Sequence, residues 1–259
     1  MRISAVIITL NEEANLARCI ASLQGVVDEV VVVDSYSQDN TQAVAESFVD
    51  VKFYAQKWLG YAGQKNYANS LSTYDTILSI DADEVLSEEL QNSILEIKKE
   101  EGCRNRVFEV SRLTNYCGHW IRHCGWYPDR KIRIFDRRNV QWQGDFVHES
   151  LSLPQEVETI RLKGDLLHYS YKNASDHVKQ FDKFTTLTAM EANKKRKNVS
   201  IIGLILRPKW RFIRDFVFKL GFLDGYAGYR VCKMSAFATF LKYAKLKELN
   251  ENDNTDKQN

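Results

Sequence analysis

The sequence predicts an α/β fold, a mostly parallel sheet covered by helices, because four short apolar runs in the first 100 residues are each followed by an amphipathic stretch. Acidic and polar residues gather just after those runs, where open α/β sheets bind ligands. The 259 residues are 44% hydrophobic and 27% charged with 3 prolines, which suits one large globular domain with an appendage. Disordered, collagen-like and disulfide-stapled classes are excluded.

Ile3 to Leu10 reads as a buried strand rather than a signal peptide, since it ends in Asn11, Glu12 and Glu13 without a small-residue cleavage site. A helix over Ala14 to Leu23 follows, with Leu16, Cys19, Ile20 and Leu23 on one face. The alternation continues with strands at Val30 to Val33, Val51 to Ala55 and Ile77 to Ile80. Their helices are expected at Thr41 to Phe48, Gln64 to Leu71 and Ser87 to Lys99. From residue 107, short β segments at Val107 to Leu113, Lys131 to Phe135 and Thr159 to Leu167 extend the sheet or wall its open face. Residues 174 to 197 read as a helix. Pro208 is then expected in the first turn of another, with Phe212, Phe216, Leu220 and Leu223 on one face. Gly225 and Gly228 loosen the join to a last helix around Phe237 to Ala244, and the tail from Glu248 is expected to fray.

The net charge of +2 hides an asymmetry. Residues 1 to 190 carry 21 Lys and Arg against 27 Asp and Glu, residues 191 to 247 carry 14 against 3, and residues 248 to 259 carry 1 against 4. This divides the chain into a body (1–190), a basic amphipathic helical extension (191–247) and a polar tail (248–259). The basic block suits an extended anionic partner. A membrane surface fits better than nucleic acid, since no nucleic-acid-binding module accompanies the charge. No run of about 18 apolar residues spans a bilayer. The five scattered cysteines match no disulfide framework and read as reduced thiols of a cytoplasmic protein.

Chemistry concentrates in Ile77-Leu78-Ser79-Ile80-Asp81-Ala82-Asp83-Glu84, an apolar strand running into carboxylates separated by one small residue. Such a cluster needs a cation, and a divalent ion that also binds a nucleotide diphosphate supplies one. A helix-capping aspartate is the plainer alternative. Asp34, ending Val30 to Val33, can accept hydrogen bonds from a ribose or base edge, or merely form a turn; Asp39 suits a helix cap. No G-x-G-x-x-G follows the first strand and no G-x-x-x-x-G-K-[ST] occurs, which disfavours a dinucleotide dehydrogenase and a P-loop NTPase. Cys117, His119, His123 and Cys124 are too compressed to wrap a zinc ion. Trp120 and Trp126 are candidates to stack on a ligand or simply core. The cluster Arg130, Lys131, Arg133, Arg137 and Arg138 is a second basic patch suited to a phosphorylated ligand, or a solvated strand edge.

Taken together, Val6 to Glu13, Val33-Asp34-Ser35 with Asp39-Asn40-Thr41, and Asp81-Ala82-Asp83 resemble glycosyltransferase family 2, nucleotide-sugar transferases of the GT-A fold. Gly63 to Ala68, Gly125 to Asp129 with Arg133-Ile134-Phe135, Val147-His148-Glu149, Leu167 to Ser170 and Gly221 to Gly225 are similar to a narrower branch, the bacterial lipopolysaccharide-core glucosyltransferases that act on heptose. The resemblance covers residues 1 to about 247. It implies an inverting transfer from a UDP-sugar or similar donor, assisted by Mg²⁺ or Mn²⁺, to a lipid-linked core sugar at the inner face of the cytoplasmic membrane. By position it puts Thr9, Asn11, Glu13 and Asp34 around the nucleotide. Lys65 would lie near the phosphates or donor sugar, Asp81 at the ribose or sugar, and Asp83 on the metal. His168, at the end of an apolar strand, is a second candidate metal ligand or diphosphate contact, with a hydrogen-bonded structural histidine as the plainer alternative. Glu149 is the expected base and Asp145 the runner-up. A non-catalytic sugar-binding module and a nucleotidyltransferase are the alternatives, opposed respectively by the retained carboxylates and by the lack of a glycine-rich phosphate loop.

Overall fold

The computed structural model describes residues 1–144 and 149–256. In chain order the elements are β1 (Ile3–Thr9), α1 (Leu16–Leu23), β2 (Glu29–Asp34), α2 (Thr41–Glu46), β3 (Val51–Ala55), α3 (Tyr61–Leu71), β4 (Thr76–Ser79), β5 (Glu84–Leu86), α4 (Glu88–Lys98), β6 (Arg106–Tyr116), β7 (His119–Ile121), β8 (Asp129–Asp136), β9 (Gln141–Gln143), β10 (Ser150–Ser152), β11 (Glu158–Tyr171), α5 (Ala174–Lys194), α6 (Ile201–Ile213) and α7 (Gly225–Asp256). The chain divides into two compact units, Met1–Leu113 with Asp129–Tyr169, and Thr114–Pro128 with Ser170–Asn259. The division falls earlier than residue 190, because α5 packs on α7.

The principal sheet runs β3-β2-β1-β4-β8-β6-β11-β5. Pairings β1/β2, β2/β3 and β1/β4 are parallel, as the alternation predicts. Pairings β4/β8, β6/β8 and β5/β11 are antiparallel, so the sheet is mixed rather than mostly parallel. In the first unit, side chains alternate across β1. Ile3, Ala5 and Ile7 pack with Leu16, Ile20 and Leu23 of α1 and Leu90 and Ile94 of α4, while Val6 joins Val31, Val33 and Ala68 of α3. Helix α4 starts where Ser87 Oγ accepts the Leu90 N–H at 3.3 Å, with Glu88 and Glu89 in the first turn and Lys98 in the last. Gly164, at φ +88°, passes so close to that turn that a Cβ would lie 2.3 Å from Leu90 N.

In the second unit α5 and α6 each pack against α7. Several sequence expectations change here. Ser200 Oγ caps the Gly203 N–H at 3.1 Å, so α6 begins at Ile201 and Pro208 lies inside it rather than in its first turn. A π turn at Arg214–Phe218 and a 3-10 turn at Gly221–Asp224 break the expected face. Phe212 stacks on Phe216, but Leu220 and Leu223 are exposed. Gly228 loosens nothing, since it lies within α7 where a Cβ would be 2.0 Å from Gly221 O. Helix α7 continues past Glu248 to Asp256 instead of fraying there. Trp126 packs among Tyr116, Tyr171 and His177, the structural alternative to sugar stacking. His123 Nδ1 lies 2.8 Å from Asp224 Oδ1.

Candidate active site

Strands β1, β2 and β4 are parallel, so their carboxyl ends share one edge of the sheet. At the first two, Thr9 Oγ1 donates to Asp34 Oδ1 at 2.8 Å and both residues are buried. Asp34 also accepts from Ser37 N–H at 2.7 Å and Ser37 Oγ at 2.5 Å. Asn11, at φ +58°, accepts the Gln38 N–H at 2.8 Å and donates its own N–H to Ser37 Oγ at 2.7 Å. Glu13 Oε2 accepts from Asn40 N–H at 2.9 Å. Asp39 is more than a helix cap, taking the Glu13 N–H at 3.1 Å and the Thr41 N–H at 3.0 Å. These four predicted donor contacts are therefore also the bonds that knit the two strand-end loops together.

Beyond β4 the chain turns tightly, with Glu84 N–H donating to Asp81 O at 2.9 Å and Asp81 N–H to Glu84 Oε2 at 3.0 Å. Both carboxylates meet Arg133 of β8. Register explains the meeting, since Leu78 pairs with Ile134 and the next position on β8 is Arg133. Its Nη2 donates to Asp81 Oδ2 at 2.9 Å and to Glu84 Oε1 at 2.5 Å. Glu84 is 0% exposed and Arg133 4%. Arg112 reaches Glu84 at 3.5 Å and Asp129 at 2.6 Å. On the other side, Lys65 from α3 lies 3.3 Å from Asp81 Oδ1 and 2.7 Å from Glu149 Oε1, with its ammonium 4.5 Å from the centre of the Trp142 ring. A line of alternating charges thus runs from Glu149 through Lys65, Asp81, Arg133, Glu84 and Arg112 to Asp129.

Burial alone would raise the Asp81 pKa, but the charges of Lys65 and Arg133 and their hydrogen bonds outweigh it and hold the carboxyl well below the usual range. Conversely, Glu84 and Asp81 overcome the burial that would lower the Arg133 pKa and drive it up. Arg133 is accordingly a core cation rather than part of an anion-facing basic cluster. Arg137 and Arg138 are likewise committed, Arg137 to Asn69 O and Ser72 O at 2.6 Å each and Arg138 to Asp136 at 2.6 Å. Sequence alone marks Arg133 and Glu84 without their roles and gives no sign of Arg112. All three lie on β-strands, Glu84 on β5, Arg112 on β6 and Arg133 on β8, and only cross-strand register shows that they meet.

Asp83 lies apart from this line. Its Oδ2 is 3.1 Å from His168 Nε2, and its carbonyl accepts the Tyr169 N–H at 2.9 Å. Antiparallel pairing of His168 with Glu84 makes the meeting. No Lys or Arg pairs with Asp83 among the described residues, and no group of three or more His, Cys, Asp or Glu suited to a metal occurs among them. A carboxylate and an imidazole side by side fit a divalent ion that takes its remaining ligands from phosphate oxygens and water. Asp145 lies outside the described residues.

A sequence profile for glycosyl transferase family 2 matches residues 4–150. The chain belongs to that family. A glycosyltransferase of Rickettsia typhi is 33% identical over 256 residues, covering 96% of this chain and 87% of that one. The lipopolysaccharide core biosynthesis glycosyltransferase LpsC of Rhizobium meliloti is 30% identical over 256 residues, covering 94% and 91%. The mannosyltransferase PcManGT of Pyrobaculum calidifontis, solved with GDP-Man and Mn2+, aligns with a TM-score of 0.54 at 13% identity, covering 95% of this chain and 86% of that chain. The glycosyltransferase therefore has the GT-A-type fold that its motifs imply. No helix among its described residues is long and apolar enough to cross a membrane.

Proposed function

We propose that this glycosyltransferase moves a sugar, with inversion, from a UDP-sugar or similar nucleotide-diphosphate donor to a lipid-linked core sugar of an envelope polysaccharide such as lipopolysaccharide. Lys65 carries the reading, as a buried ammonium held between Asp81 and Glu149 at the ligand-binding edge of the sheet. An arriving diphosphate competes with Glu149 for that ammonium, so the donor gains a counter-charge and the carboxylate is released. Glu149 then takes the proton of the acceptor hydroxyl as its oxygen bonds to the anomeric carbon. The bond from that carbon to the diphosphate oxygen breaks with both electrons leaving on the nucleotide. Asp145 is the alternative base.

Thr9, Asn11, Glu13 and Asp34 would line the nucleotide, and Asp81 would face the ribose or donor sugar. Asp83 and His168 would hold Mg²⁺ or Mn²⁺, which when bound neutralises charge on the diphosphate. The name of the Rhizobium relative supports a lipopolysaccharide-core acceptor. The reaction belongs at the inner face of the cytoplasmic membrane, with peripheral contact through the basic C-terminal helices and no nucleic-acid partner.

Donor hydrolysis by the full chain across UDP-, GDP-, dTDP- and CMP-sugars, with and without Mn²⁺, tests the reading. The expected result is turnover of one nucleotide class that Mn²⁺ increases and that Asp83→Asn abolishes. Absence of both turnover and binding with every donor would refute it.

A further inference from the structure

Helix α6 is built inside out. None of its residues is buried, and Ile201, Ile202, Ile205, Leu206, Trp210 and Ile213 are between 44% and 68% exposed. Its arginines line instead a cavity of about 520 Å³ formed with α5 and α7. Arg207, Arg211, Arg214 and Lys242 bring four cations to that cavity, Ser235 and Thr239 bring hydroxyls, and no described lining residue is acidic. The buried Asp215 pairs with both Arg211, through a short contact, and Arg214, at 2.8 Å, and so compensates one charge of that pair. Neither Arg207 nor Lys242 has a carboxylate partner among the described residues; each lies against the Tyr243 ring, at 4.4 and 5.6 Å. Trp210 belongs both to the exposed apolar face and to the cavity wall, so the two features adjoin.

An apolar helix face turned outward beside a cationic, hydroxyl-lined cavity matches the two halves of an anionic lipid. The isoleucines gain nothing from water, and one buried carboxylate against four cations leaves the cavity with a net positive charge that a phosphate would neutralise. We propose that the α5–α6–α7 cavity binds the phosphate-bearing headgroup of an anionic glycerophospholipid while the α6 aliphatic side chains enter the acyl boundary. The proposal rests on the peripheral-membrane reading above and adds a defined headgroup site to it.

Flotation of the full chain with phosphatidylcholine vesicles, with or without phosphatidylglycerol, tests the site. Arg207→Gln with Lys242→Gln is compared with Lys194→Gln with Lys197→Gln, which removes equal charge from exposed positions of the same basic stretch. The cavity variant is expected to lose about tenfold or more of the phosphatidylglycerol-dependent binding, while the control variant loses markedly less. Donor hydrolysis without vesicles is expected to stay unchanged in both, as is the circular dichroism spectrum. Equal losses would make the attraction diffuse and overturn the site. Undiminished binding of the cavity variant would overturn it while sparing peripheral attachment. Absence of wild-type flotation would remove both. Inorganic phosphate that binds the wild type in an Arg207-dependent way without vesicle binding would assign the cavity to a free anion. Self-association abolished by Ile205→Asn with Leu206→Asn, without flotation, would assign the apolar face to a second copy.

Discussion

Replacing Arg133 by Leu isolates the tie on which the site's geometry depends. One guanidinium nitrogen serves both Asp81 and Glu84, and its removal leaves two carboxylates facing each other across the strand end. Breaking a buried ion pair from one side costs about 3–5 kcal/mol. The lower end applies here for two reasons. The Asp81 side chain is 31% exposed and keeps Lys65, while Glu84 keeps Arg112 at 3.5 Å and the Asp81 N–H at 3.0 Å. The expected loss is therefore about 3 kcal/mol at neutral pH, a large part of the 5–15 kcal/mol typical of a folded protein. Urea denaturation of the full chain followed by circular dichroism measures it. The pH dependence carries the diagnostic sign. In the wild type the depressed Asp81 pKa contributes stability above the unfolded value of about 3.9 and loses it as pH falls. In the variant that pKa rises, so acidification neutralises the repelling pair and the gap between the proteins narrows below about pH 5. A loss under about 1 kcal/mol, or a gap that does not change with pH, would refute the argument.

Three other outcomes follow from local geometry. Glu149→Gln is expected to lower transfer by about 10²–10⁴ with donor affinity undiminished or raised, because the diphosphate no longer competes with a carboxylate for Lys65, and unchanged transfer would shift the base to Asp145. Burial, aided by the charge of Arg230, pushes the His177 pKa down to about 4, so the unfolded chain binds a proton the folded chain refuses between pH 6.5 and about 4. Stability is expected to fall across that window by about 1–3 kcal/mol, allowing for solvent screening, and His177→Gln to flatten the fall in urea titrations. Gly164→Ala is expected to destabilise by about 2 kcal/mol or more, because its Cβ meets the α4 backbone, whereas Gly25→Ala, with similar positive φ and open space, is expected to lose only about 1 kcal/mol. Equal urea midpoints for the two variants would contradict the close approach.

The β-α alternation was legible because it is local. Strands with apolar runs and helices with one apolar face follow periods set by the backbone, and β3 was located to the residue. Short β5 is not legible because three residues show no period, and its pairing is with Leu166 to His168 of β11, distant in sequence. The C-terminal faces depart from the periodic expectation for a related reason. A 3.6-residue period assumes an unbroken α-helix, and the π and 3-10 turns near residues 214–224 rotate every later position away from it. Motif residues were recognisable one by one. Their partners Arg133, Glu84 and Arg112 were not, because an arginine on a strand looks the same whether it faces water or a buried carboxylate.

By itself the sequence determined the alternating architecture, the family, and the acids following β2 and β4, since each depends on residue order along a short stretch. Only the tertiary structure decided which charges meet. Pairing of β8 with β4 brings Arg133 to Asp81, pairing of β11 with β5 brings His168 to Asp83, and the packing of α3 sets Lys65 between Asp81 and Glu149. Ion pairing acts through distance in space. Strand register and helix packing set that distance for residues tens of positions apart, and no local pattern encodes it.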